Sequence, residues 1–217
     1  MTLAVIGVIA DLTIPTMMAS YQKSVYETSF RTAYSDFVQA TKRYMLSKDN
    51  KLVNNMGDID NVMSDYCEIY NCVEICASGD REDCGHPDFG YNISGKETYS
   101  MGGPPWRYIQ LSNGMAMGFY LTGNNDNCEG SNFTKDTEDI GCLWVKIDTN
   151  ALEGPNKLGY DQYKFGVHRE GPFVEGTPGS FYDDISEYCT MSKNLDQDTN
   201  GRACGGRILL KGGIDYL

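Results

Sequence analysis

Basic charge is scarce in this chain of 217 residues: 18 Lys and Arg stand against 30 Asp and Glu, a formal net charge of −12. Most of the acid lies after residue 50. Such a surface repels phosphate backbones and argues against direct nucleic-acid binding. Residues 1–10 carry no Lys or Arg, so the basic start of a secretory signal peptide is missing. Histidine occurs only at His86 and His168, and neither sits in a recognisable frame with a Ser or Cys nucleophile. The motifs G-x-S-x-G and H-E-x-x-H are absent. No C-x-x-C pair offers zinc ligands. The carboxylates lie mainly in acidic loops, where solvation accounts for them. These absences leave no catalytic set, and the expectation is a protein that is not an enzyme and holds no cofactor.

Long apolar runs are also missing, except at the start. Residues 1–20 are almost wholly apolar apart from Asp11, with Leu3, Val5, Ile6, Val8, Ile9, Leu12, Ile14, Met17 and Met18 among small residues. Twenty helical residues reach roughly 30 Å, enough to cross the hydrocarbon core of a bilayer. The pattern then changes without a break. Tyr26, Phe30, Ala33, Tyr34, Phe37, Ala40 and Tyr44 recur at steps of three and four, with Glu27, Arg31, Asp36, Lys42 and Arg43 on the other side. That is one apolar stripe on a soluble helix. The two halves predict a single rod of about 70 Å at the helical rise. A signal peptide or a buried core helix explains the first twenty residues alone, but not their unbroken join to an amphipathic helix. Asp11 is costly in lipid and is expected to face a neighbouring polar group. Pro15 lacks an N–H and should loosen the helix.

Eight cysteines, none in this helix, stand at 67, 72, 76, 84, 128, 142, 189 and 204. An even set in a Gly- and Asn-rich body reads as disulfides formed in an oxidising compartment. The apolar stripe ends near Asp49-Asn50, and a short helix is expected over Ile59–Tyr66 with Asp58 as N-cap. Residues 49–105 then read as an irregular cysteine-rich loop tied by two bridges among Cys67, Cys72, Cys76 and Cys84, in unknown order. From Trp106 a β pattern begins. Tyr108, Ile109 and Leu111 lead into Asn113-Gly114, and Met115, Met117, Phe119 and Leu121 follow, a strong hairpin signal. Cys142–Asp148 is a third strand, and Tyr163, Phe165 and Val167 mark a fourth. Cys128 and Cys142 flank an acidic loop and are expected to pair. Asp196, Asp198, Asn200 and Gly201 match the first half of a calcium loop, but its twelfth position is Arg207 where a bidentate Glu is required. An Asx-rich turn is the preferred reading there, with a calcium clip as the rival.

The run IGVIADLTIPTMMASYQKSVYETSFRTAYS, with Gly7, Pro15 and Tyr21 in place, resembles the N-terminal helix of type IV pilins and type II secretion pseudopilins. The segment IDTNALEGPNKLGYDQYKFGV resembles the β-region of such proteins through Asp148, Asn150, Pro155, Asn156, Gly159, Asp161 and Phe165. The tail from Cys189 to Leu217 is similar to the family's C-terminal loop, in which a cysteine pair, here Cys189 and Cys204, staples a segment to the sheet before an apolar strand. Residues 1–50 and 106–217 carry the resemblance, and the middle cysteine loop has no counterpart. In that family the mature chain starts after a leader ending in Gly and carries an early Glu. Aligning Pro15 places that start several residues upstream of Met1.

The resemblance implies an α+β, pilin-like fold: a long N-terminal helix whose apolar half protrudes (residues 1–24) and whose second half (25–48) packs on an antiparallel sheet. The sheet is expected over 106–188, with a disulfide loop and strand over 189–217. Leu3, Val5, Ile6, Val8, Ile9, Leu12, Ile14 and Pro15 would serve assembly and the membrane, and Tyr26, Phe30, Ala33, Phe37 and Tyr44 would pack on the sheet. The implied partners are identical or related subunits, the cytoplasmic membrane and its assembly machinery, with the domain outside and filaments at the cell surface. A membrane-anchored extracellular binding or adhesin domain is the alternative, and a secreted enzyme a distant third.

Overall fold

A computed structural model describes residues 2–52, 55–77, 80–87, 90–98, 106–122, 141–191 and 199–217, with residues 2–14 and Thr16 described in backbone only. Helix α1 runs unbroken over Thr2–Ser47, and Pro15 sits inside it without ending it. It stops where Asp49 and Asn50 turn left-handed (φ 54° and 59°), the Asn50 N–H donating to Met45 O at 2.8 Å. Asn and Asp tolerate that region better than most residues do. Helix α2 spans Ile59–Tyr70, four residues beyond the expected end. Asp58 caps it by accepting from Asp60 N at 2.9 Å, and Asn71 closes it in the left-handed conformation.

The remaining elements are β1 (Cys72–Cys76), β2 (Gly90–Tyr91), β3 (Glu97–Thr98), β4 (Arg107–Leu111), β5 (Ala116–Leu121), β6 (Gly141–Asp148), β7 (Gln162–His168), β8 (Gly171–Val174), α3 (Ile185–Tyr188) and α4 (Cys204–Lys211). The main sheet has the order β1-β4-β5-β6-β7-β8 and is antiparallel throughout, while β2 and β3 form a separate two-stranded ribbon. The fold is thus α+β, a long helix packed on an antiparallel sheet. The hairpin at Asn113-Gly114 forms as its sequence predicts, with Gly114 at φ 86°.

Two expectations need correction. Residues 72–76 are not irregular loop but an edge strand of the sheet, so the sheet is not confined to 106–188. Its apolar residues Val73 and Ile75 point outward, 64% and 44% exposed, and pairing with β4 rather than an inward apolar face holds the strand. Strand β8 falls within the expected sheet, and Pro172 is tolerated in it because β8 is the sheet's other edge. The second concerns the tail, where helix α4 replaces the expected strand. A strand would place Ile208 and Leu210 on one face. The helix instead buries Ile208 and leaves Leu210 50% exposed. Gly205 and Gly206 allow this packing, because a Cβ on Gly206 would lie 2.1 Å from the Gly176 carbonyl carbon.

The core lies between α1 and the inner face of the sheet. Phe30, Ala33, Phe37, Ala40 and Tyr44 are all buried there, following the step of three and four. Phe30 meets Tyr163 with ring centroids 4.6 Å apart, and Phe37 meets Phe165 at 5.2 Å. Tyr44 departs from its expected place on the sheet. It stacks on Tyr66 of α2 at 5.1 Å, and Tyr66 in turn meets Phe119 of β5 at 5.2 Å. Disulfides join Cys67 to Cys72, Cys76 to Cys84 and Cys189 to Cys204. Cys142 is disulfide-bonded, and Cys128 lies outside the described residues.

Candidate assembly surface

The rear half of α1 enters the core, and the stretch just in front of it is bare. Pro15 and residues 17–22 are exposed on every side of the helix, with Met17 69%, Met18 54% and Tyr21 67% exposed. Cover begins at Lys23 and Tyr26. The Lys23 Nζ donates to the main-chain oxygen of Leu217 at 2.7 Å, and the Tyr26 ring meets Tyr160 edge-on at 5.6 Å. Val25, facing away, is still 41% exposed. Further along, Arg31 bonds Gly212 O at 2.9 Å while paired with Glu27 at 2.9 Å. The C-terminal residues therefore clasp the helix where it leaves the domain, and Tyr216 fixes them by donating to Gly159 O at 2.6 Å. A shallow groove opens at this point between Ala19, Ser20, Gln22, Lys23, Tyr26, Tyr160 and Leu217.

This placement separates the two sets of residues expected from the sequence. Phe30, Ala33, Phe37 and Tyr44 are buried in the domain, and Tyr26 is half-buried at its rim. Leu3, Val5, Ile6, Val8, Ile9, Leu12 and Ile14 lie on the helical extension in front, described in backbone only, and Pro15 is exposed. Among the described residues no helix is long and apolar enough to cross a membrane. The clasp by Lys23 and Arg31 was missed. A Lys and an Arg eight residues apart on a helix look like ordinary solvated charges, and only the folded tail supplies their acceptors.

The calcium candidates divide. Asp196 and Asp198 lie outside the described residues, whereas Asn200 is buried and engaged with the chain itself. Its Oδ1 accepts from Thr190 N at 3.2 Å, and its Nδ2 donates to Thr190 O at 2.9 Å and to Ser94 Oγ at 3.2 Å. Among the described residues no group of three His, Cys, Asp or Glu is placed to hold a metal ion.

A second feature is a charged layer sealed against the sheet's outer face. Val145, Ile147 and Phe165 face α1, so Lys146, Asp148 and Lys164, alternating with them, face the other way. Period-two reasoning puts such residues in water, yet all three are buried. The loop carrying Cys84, Gly85 and His86 lies over β4 and β5 beside them: His86 meets the Tyr108 ring at 4.6 Å, and Gly85 sits against Ala116 and Ala151. Burial pushes the Lys146 ammonium well down, and its Nζ has no hydrogen-bond partner among the described residues. Burial also pushes the Asp148 carboxyl up to about 7, helped by nearby Asp161 and opposed by Lys146 and by the hydrogen bond from Gln162 Nε2 at 2.7 Å. The folded chain thus holds the Asp148 proton to higher pH than the unfolded chain does. Stability from this group is full below the ordinary carboxylate value of 3.8 and is lost as pH rises to about 7. An Asp148→Asn protein, which keeps an acceptor for Gln162, should lose that decline when melting temperatures are compared from pH 4 to pH 7.

Compared with known protein families, characterised proteins and solved structures, the chain matches none.

Proposed function

We propose that the chain is a pilin-like structural subunit, of the type IV pilus or type II secretion pseudopilin kind, that assembles into a filament through its N-terminal helix. One observation carries the reading: a single unbroken helix, Thr2–Ser47, is buried in the domain from Phe30 onward and bare around Met17–Gln22. Exposed apolar surface disfavours the lone molecule by about 25 cal/mol per Å² relative to burial. A neighbouring helix of the same kind removes that penalty. Before assembly the apolar front half rests in the cytoplasmic membrane with the acidic domain on the periplasmic or extracellular side. Leu3, Val5, Ile6, Val8, Ile9, Leu12 and Ile14 then exchange lipid for helix-to-helix packing, and Met17, Met18 and Tyr21 continue that contact toward the domain. The partners are identical or related subunits, the membrane and the machinery that draws the helix out. The bonding of all the described cysteines suits an oxidising, extracytoplasmic setting.

Detergent removal tests the proposal. Full-length protein should form filaments visible by electron microscopy, while a chain starting at Val25 should stay monomeric and melt as the full-length domain does. Full-length protein that stays monodisperse without detergent would favour the alternative, a binding domain for which the helix is only a tether.

A further inference from the structure

Lys164 of the charged layer has a further buried neighbour in Glu175. The register that pairs Phe165 with Val174 sets Lys164 opposite Glu175, and the Glu175 N–H donates to Lys164 O at 3.2 Å. Cross-strand neighbours of this kind have Cβ atoms about 5 Å apart. Glu175 is fully buried, and among the described residues neither carboxylate oxygen has a hydrogen-bond partner. Lys164 is 7% exposed, and its Nζ lies 6.0 Å from the centre of the Trp144 ring. An ionised carboxylate sealed from water without hydrogen bonds is among the costliest arrangements a fold can hold. Phe165 and Val174 pair on one face, so Lys164 and Glu175, next to them along each strand, stand together on the other.

We infer that Lys164 and Glu175 condense into an intrachain amide that joins β7 covalently to the edge strand β8. In this step the Nζ lone pair attacks Cδ of Glu175 and forms the C–N bond. The C–O bond to the carboxyl hydroxyl breaks, and the hydroxyl leaves with one Nζ proton as water. Nothing is oxidised or reduced. The product is a neutral amide in place of two buried ionisable groups. The reaction needs a neutral amine and a protonated acid, and the site favours both. Burial, with Arg202 nearby, pushes the Lys164 ammonium down to about 7. Burial also pushes the Glu175 carboxyl up, against the pull of Lys164 and Arg202. The exclusion of water that costs the separate charges also disfavours hydrolysis of the amide. The link sits where β8 meets α4, since Gly206 N donates to Glu175 O at 2.9 Å. It therefore pins the sheet edge on which the C-terminal helix docks.

Peptide mapping of the purified full-length protein, reduced and digested with trypsin, decides the matter. The expected product is one branched peptide carrying Lys164 and Glu175, uncut after Lys164 and one water lighter than its two arms. The Lys164→Arg protein should be cut after position 164 and release the Glu175 peptide at its full mass. Cleavage after Lys164 in the unaltered protein, with the Glu175 peptide recovered at its full mass, would overturn the inference. So would a branched peptide joined through Lys146 instead.

Discussion

A Phe37→Asp protein is expected to be largely unfolded at 25 °C, whereas Tyr21→Asp should melt within a degree or two of the unaltered protein. Both changes put a carboxylate in place of an aromatic ring on the same helix. Phe37 is fully buried against Phe165, and Tyr21 is 67% exposed. Truncating a buried Phe costs about 3–5 kcal/mol, and sealing an unpartnered carboxylate in the core adds about 2 kcal/mol or more. Domains of this size are stable by only about 5–15 kcal/mol in total. An exposed substitution falls within about 0.5 kcal/mol. Circular dichroism melts of the two proteins therefore locate the division of α1 between its bare and covered parts. Equal losses would place Tyr21 in the core, and no loss from Phe37→Asp would remove the helix from the sheet.

The second large effect is expected from the Cys189–Cys204 bridge. Replacing both cysteines by serine should lower stability by about 3 kcal/mol, the chain-entropy value for a loop of this length, with the closure spanning 15 residues. Both cysteines are fully buried, so two serine hydroxyls in their place would add to the loss. The bridge anchors the start of α4, and α4 covers Val174 and Phe30 through Gly205. Its loss should therefore loosen the end of the sheet nearest the helix. The Cys67–Cys72 bridge, spanning 5 residues, should matter less, about 2 kcal/mol on the same reckoning. Denaturant unfolding of the two double-serine proteins checks the order, and an equal or reversed order would count against it.

Periodicity revealed much of this architecture because burial and pattern agree along α1. Phe30, Ala33, Phe37, Ala40 and Tyr44 repeat with the helix turn, and the helix buries them. The Asn113-Gly114 turn and the β6 and β7 runs were legible for the same reason. Reading failed where pattern and burial part company. Strand β1 shows its apolar residues to solvent and is held by its partner strand, which a local pattern does not encode. Helix α4 depends on the backbone of Gly176, about thirty residues upstream and visible only once the chain has folded. Lys146, Asp148 and Lys164 look like solvated residues of a half-buried strand, yet all three are buried. The front of the helix is legible as apolar, but nothing in the sequence says that the domain leaves Met17–Gln22 bare.

Methionine oxidation measures the central claim most directly. Met17 and Met18 are 69% and 54% exposed on the bare helix, and Met191, 45% exposed on the domain, serves as an internal reference. In lipid-free assemblies pelleted after detergent removal, Met17 and Met18 should be protected from peroxide severalfold relative to dissociated protein, while Met191 keeps reacting. Oxidation of Met17 and Met18 at the same rate in both states would mean that the helix is not where subunits meet.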